Sequence, residues 1–161
     1  MTSNHPMETP VRVKQYWSEL VSDAESTIEE YKERGYDGTL LQPGPITFLN
    51  SEQTDDAPGL SVLLPSSDFS TVKRTNEDGS FTSADVYAAT TDDLVLLGIY
   101  LKSESETKII GFPAYYDRSV GVEILENISQ NHFCIYFRTL ENNRITISCA
   151  DPSQFLPTDA K

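Results

Sequence analysis

Apolar residues recur at three- and four-residue spacing from Val13 through Trp17, Leu20, Val21, Ala24, Ile28 and Tyr31, while Glu19, Asp23, Glu29, Glu30 and Glu33 take the remaining positions. That period lays one apolar stripe along a helix and predicts an amphipathic α-helix over 10–34. Thr9 is placed to cap it, Pro10 suits its first helical position, and Gly35 follows as a residue that accepts left-handed backbone at a helix end.

Beyond Gly35 the pattern shortens to strand length. Pro43-Gly44 within TLLQPGPITFL (39–49) fits the centre of a type II turn between two short strands. NSEQTDDAPG (50–59) reads as a loop, LSVLLP (60–65) as a strand ended by proline, and SSDFSTVKRT (66–75) as a short helix capped by a serine. ADVYAAT (84–90) fits either a strand or a helical turn, with the strand favoured. LVLLGIYL (94–101) is apolar without alternation, the pattern of a central strand covered on both faces. KIIGFPAYY (108–116) is its hairpin return, and Pro113, lacking an N–H, predicts that this strand becomes an edge or leaves the sheet there. Ser119 is expected to cap a helix to about Ser129 with Val120, Ile124, Leu125 and Ile128 inward, followed by a hairpin from FCIYFRTL (133–140) and RITISC (144–149) joined by ENN. DPSQFL (151–156) reads as an Asp-capped single turn. One long helix, then strands interrupted by two short helices, predicts an α+β fold: a long N-terminal helix packed on a largely antiparallel sheet with two further short helices. Residues 1–9 are expected to be a disordered tail, 10–156 a single domain and 157–161 a polar tail.

Composition adds one strong signal. The chain has 161 residues, 25 acidic and 12 basic, for a net charge of −13, and only six of the basic residues are lysines. Such an excess disfavours a phosphate backbone as partner, because that binding depends on Lys and Arg displacing counterions. The only adjacent basic pair, Lys73-Arg74, sits near Asp68 and Glu77, so no basic stripe exists and nucleic acid is not an expected partner. The acids are spread along the chain, as on a solvated surface in a high-salt cytoplasm; mimicry of nucleic acid would need them in two rows on one face. No apolar run reaches the ~18–20 residues of a membrane span, so no membrane association is expected and the cytoplasm is the expected location.

Candidate chemistry is sparse. His5 and His132 have no carboxylate at metal-binding spacing, so neither metal nor cofactor is expected. Asp55-Asp56 and Asp92-Asp93 are adjacent loop residues, which suit solvated surface better than acid–base partnership. His132 and Cys134 share a strand face and could form a thiol–base pair, against the plainer reading of a small buried residue beside a strand-start histidine. If Ile135 and Phe137 face Cys149 and Ile147 in the hairpin, Cys134 points to the opposite side, so both thiols are expected free. No catalytic residue is assigned. Tyr115 and Tyr116 are consecutive, so on a strand one ring packs inward and the other stands outside. The region of Tyr115, Tyr116, Asp117 and Arg118, with Arg138, is the candidate binding site, since such residues are enriched at protein interfaces, against the plainer reading of an Asp117–Arg118 pair that tidies a strand end before the Ser119 cap.

In order over 15–156, Trp17 with SDAESTIEEYKERGYDGTLLQPGPI, LSVLLP, DVY, FPAYY, FRTL and DPSQF resembles a family of small uncharacterised proteins from halophilic archaea. The resemblance implies a salt-adapted cytoplasm and implies no activity, cofactor or catalytic residue. The functional expectation is a non-enzymatic interaction module with a protein partner or a second copy of itself. The alternative is a small-ligand binder or hydrolase with a pocket between the first helix and the sheet, near Trp17, Tyr36 and Cys134. Self-repulsion at a net charge of −13 weakens a fold most in dilute salt, and the Debye length falls from about 10 Å at 0.1 M to about 3 Å at 1 M. The melting temperature is therefore expected to climb between 0.1 M and 1 M KCl, and an unchanged value would remove salt adaptation as the reason for the composition.

Overall fold

The computed structural model describes residues 11–43, 46–49, 58–103, 105, 107–128 and 133–157. The expected disordered N-terminal tail, the Thr9 cap, the Pro43-Gly44 turn, Asp55-Asp56 and both histidines lie wholly or partly outside them; of the C-terminal tail only Pro157 is described, and it is buried. The order of elements is α1 (Val11–Glu33), β1 (Asp37–Leu40), β2 (Ile46–Leu49), β3 (Gly59–Leu63), α2 (Ser66–Asp78), β4 (Ser83–Thr91), β5 (Leu94–Ser103), β6 (Lys108–Asp117), α3 (Arg118–Glu126), β7 (Phe133–Arg138), β8 (Arg144–Ala150) and a closing 3-10 turn (Pro152–Phe155).

The class is α+β, with two mixed four-stranded sheets in place of one largely antiparallel sheet: β1-β6-β5-β4 and β2-β3-β7-β8. Strands close in sequence pair antiparallel, namely β2 with β3, β4 with β5, β5 with β6 and β7 with β8. The parallel pairs, β1 with β6 and β3 with β7, join strands far apart in the chain. A parallel pair needs a long crossover, which leaves no mark in local patterning.

Side-chain alternation divides the molecule into layers. Val95, Leu97, Ile99 and Leu101 of β5, with Ile110, Phe112, Ala114 and Tyr116 of β6, face Leu60, Val62, Phe133, Ile135, Phe137 and Ile147 of the second sheet in one core cluster. The Phe112 and Phe137 rings meet edge-on across the layer, 5.6 Å between centroids. The other face of the first sheet carries Tyr100 and Ile109, and α1 lays Ile28 and Tyr31 on them.

The end of α1 follows its sequence signals closely. Gly35 has φ +99°, its N–H reaches the Lys32 carbonyl, and the Tyr36 N–H reaches the Tyr31 carbonyl. This is a Schellman ending with its accompanying apolar contact, here the Tyr31 and Tyr36 rings at 5.7 Å.

Several local expectations shift. α2 begins after Pro65 with no side-chain cap, so no serine caps it. Asp117 and not Ser119 caps α3: the Asp117 carboxylate accepts from both the Ser119 N–H and its hydroxyl, which starts the helix earlier, and the helix ends at Glu126 with Asn127 at its C-cap. With that phase Gly121 and Leu125 turn inward, and Val120 stands 56% exposed. The β7–β8 connection is Thr139–Asn143, with Asn142 at φ 71°, so Ile135 pairs with Ile147 and not with Cys149. A two-residue slip keeps the same faces together. Cys134 is a free, buried thiol; the Cys149 side chain lies outside the described residues.

Pro113 marks an edge without ending the strand. The Gly111 carbonyl accepts from the Leu41 N–H at 2.8 Å, so the peptide groups of Gly111, Pro113 and Tyr115 point toward the β1 side. β1 has ended at Leu40, and the missing N–H of proline falls where no ladder bond is required. On its other side β6 stays in register with β5 as far as Asp117.

Buried phenols tie these layers to pH. Burial holds the Tyr31 hydroxyl above its ordinary pKa of 10.0, reinforced by its hydrogen bond to the Asp85 carboxylate, which also pairs with Lys102 at 3.2 Å. Burial likewise raises Tyr100 and Tyr116. A raised folded-state pKa gives stability that is complete below the unfolded value of about 10 and is lost as pH rises beyond it. Urea midpoints are expected to hold up to about pH 9.5 and fall above 10, with a shallower fall in Tyr31→Phe; the same slope in both proteins would refute the assignment.

Candidate functional site

The end of β6 presents the four consecutive residues expected to bind. Because side chains alternate, Tyr115 and Tyr116 leave the strand on opposite faces. Tyr115 is half-buried toward α1, its ring edge-on to Trp17 at 6.1 Å. Tyr116 turns into the layer between the sheets, where it is 5% exposed, packs edge-on to Phe48 at 5.0 Å and donates its hydroxyl to the Phe155 carbonyl at 2.6 Å. Asp117 is the α3 cap, and the Arg118 N–H donates to the Asp93 carbonyl at 2.8 Å. The Arg118 side chain lines an open cleft with Asp92, Asp93, Glu123 and Glu126, so its surroundings are acidic. Arg138 does not join them. It lies on β7, on the face opposite Ile135 and Phe137, and its Nε donates to Ser61 Oγ at 2.8 Å.

Trp17, Tyr36 and Cys134 do not converge either. Trp17 meets Tyr115, Tyr36 packs on Tyr31 near the C-terminal end of α1, and Cys134 belongs to the second sheet.

What the end of β6 does form is a groove. Ile46, Thr47 and Phe48 of β2 make one wall, Val120, Gly121 and Ile124 of α3 the other, and Tyr115, Tyr116 and Asp117 the floor, enclosing about 350 Å³. Gly121 allows this arrangement: a Cβ there would lie 2.1 Å from the Tyr116 ring and 3.0 Å from Phe48. A glycine inside a helical pattern is the one signal in the sequence that could have marked the close approach. The two strongest polar groups of the groove are already engaged, Tyr116 with Phe155 and Asp117 with Ser119, so its accessible offering is mainly apolar contact.

Against known proteins, the model of a family of unknown function, DUF7529, matches residues 4–157. The chain belongs to that family. No curated protein and no solved structure matches it. Among the described residues no group of three or more His, Cys, Asp or Glu side chains is placed to hold a metal ion, and no helix is long and apolar enough to cross a membrane.

Tyr116→Phe keeps the ring in place and removes only its hydroxyl, leaving the carbonyl of fully buried Phe155 without its donor. An orphaned buried acceptor costs about 1–3 kcal/mol. A urea titration is expected to show a loss of that size, and an unchanged midpoint would mean that the closing turn is held by packing alone.

Proposed function

We propose that this chain is a non-enzymatic protein-interaction module of a salt-adapted cytoplasm, and that the groove between β2, the end of β6 and α3 receives a short apolar segment of a protein partner. The observation that carries this reading is Val120, 56% exposed on the rim of an apolar groove whose strongest polar groups are committed to internal hydrogen bonds. An exposed aliphatic residue beside an apolar concavity suits an anchor site, in which a few desolvated contacts supply most of the affinity. The acids of the neighbouring cleft, Asp92, Asp93, Glu123 and Glu126, favour an apolar anchor with basic flanks, since charge complementarity selects the partner and speeds encounter. The family resemblance and the net charge of −13 support the high-salt setting.

The test changes Val120, because Tyr116 is core and its removal would disturb the fold. Tagged native protein and Val120→Glu are used to capture partners from the source lysate in about 1 M KCl, where long-range charge attraction is screened, and retained proteins are identified by mass spectrometry. The expected result is a protein held by the native chain, lost at least tenfold with Val120→Glu at an unchanged melting temperature, and rebound by the native chain when purified. Identical capture by both proteins, or none by either, would overturn the reading, and recovery of this chain alone would make its partner a second copy.

A further inference from the structure

A second concavity lies at the opposite end of β6. Asp37 and Thr39 of β1, Lys108, Ile109 and Ile110 of β6, and Thr71, Arg74, Thr75 and Asp78 of α2 enclose about 230 Å³, less than a drug-sized ligand needs. The four α2 residues fall at i, i+3, i+4 and i+7, so one helix face supplies that wall. Asp37 and Lys108 are register partners on the parallel β1–β6 pair. Lys108 nevertheless reaches across to α2, its Nζ 3.1 Å from Asp78 Oδ2.

Among the described residues that choice leaves two opposite charges unpaired. With Lys108 and Asp78 committed to each other, neither the Asp37 carboxylate nor the Arg74 guanidinium makes an ion pair or side-chain hydrogen bond among the described residues, although both line the same cleft. Two opposite charges that border one cavity and stay apart are matched by a molecule carrying both complements. The hydroxyl protons of Thr71 and Thr75 are also committed, to the Ser67 carbonyl at 3.2 Å and the Thr71 carbonyl at 2.9 Å. Their oxygens are left as acceptors, which suits a ligand that brings donors of its own.

We propose that this cleft binds a small zwitterion of the α-amino-acid class, with the ligand carboxylate on Arg74 and its ammonium on Asp37. The planar guanidinium holds a carboxylate through two parallel hydrogen bonds, and Asp37 excludes ligands that bring only an anion. The Lys108–Asp78 pair bridges β6 and the helix wall and, being neutral as a pair, leaves the discrimination to the other two. The site is separate from the groove of the proposed interaction and does not depend on it.

The test is an amide NMR titration of the full ¹⁵N-labelled chain with L-serine, in KCl at which the chain is fully folded. Acetate and methylammonium serve as half-ligands, each carrying one of the two charges. Saturable shifts at the Thr39, Arg74 and Lys108 amides are expected with L-serine, and each half-ligand is expected to bind at least tenfold more weakly. Arg74→Gln and Asp37→Asn alter exposed side chains, so the melting temperature should hold while each weakens L-serine at least tenfold, about 1.4 kcal/mol. The proposal is overturned by shifts that never saturate, by half-ligands that bind as well as L-serine, or by variants that bind it as tightly as the native chain.

Discussion

Burial of one apolar face of each sheet against the other is the constraint on which the remaining elements depend. Phe112 and Ile99 from one sheet and Phe137 and Ile135 from the other are fully buried in that layer. α2 contributes Phe69 and Val72 to it, α3 contributes Leu125, and the closing 3-10 turn contributes Phe155. None of these short helices has enough apolar surface to hold itself in place; each is positioned by the slot that the two sheets leave open. α1 is different, since it packs on the outer face through its own small cluster around Tyr31 and Tyr100.

β6 links this architecture to both sites. It is interior where β1 covers it and an edge from Pro113 onward, so its two ends meet different surroundings. At Lys108 the neighbour is α2, whose polar face makes a charged cleft. At Asp117 the neighbours are β2 and α3, whose apolar side chains make a groove. One strand thus carries a polar concavity at one end and an apolar one at the other, and the short length of β1 is what exposes the second.

The parts of the fold that could be read from sequence are those whose signals are local. The α1 stripe, the Gly35 ending, the uninterrupted apolar run of β5 and the Asp151 cap of the last turn each depend on residues within a few positions of one another. Alternation of Tyr115 and Tyr116 across β6 follows from strand geometry alone. Pairing between distant strands does not, so the division of β1 and β2 between two sheets and the parallel β3–β7 pair went unread. At α3 two nearby signals competed, since Asp117 and Ser119 are both good caps, and the packing of Gly121 and Leu125 against the core, which leaves Val120 exposed, is set by tertiary contacts that neither cap encodes. The groove was hidden for the same reason, because β2 meets α3 and β6 only after the sheets have assembled. Arg138 was grouped with Tyr115 by residue type, whereas β7 carries it to the far face of the second sheet.

The separation of the two sheets along the chain also shapes synthesis. Every strand of the first sheet lies between Asp37 and Asp117, whereas the second needs β7 and β8, which follow Phe133. A nascent chain emerging from the ribosome can therefore complete the first sheet while Val95, Leu97, Ile99 and Phe112 still lack β7 and β8, half of the sheet that will cover them. Such an uncovered apolar face is the kind of surface on which partly made chains aggregate. The acidic residues already emerged by then, among them Glu29, Glu30, Asp92 and Asp93, give that partly made chain a negative charge of the kind that disfavours association between chains.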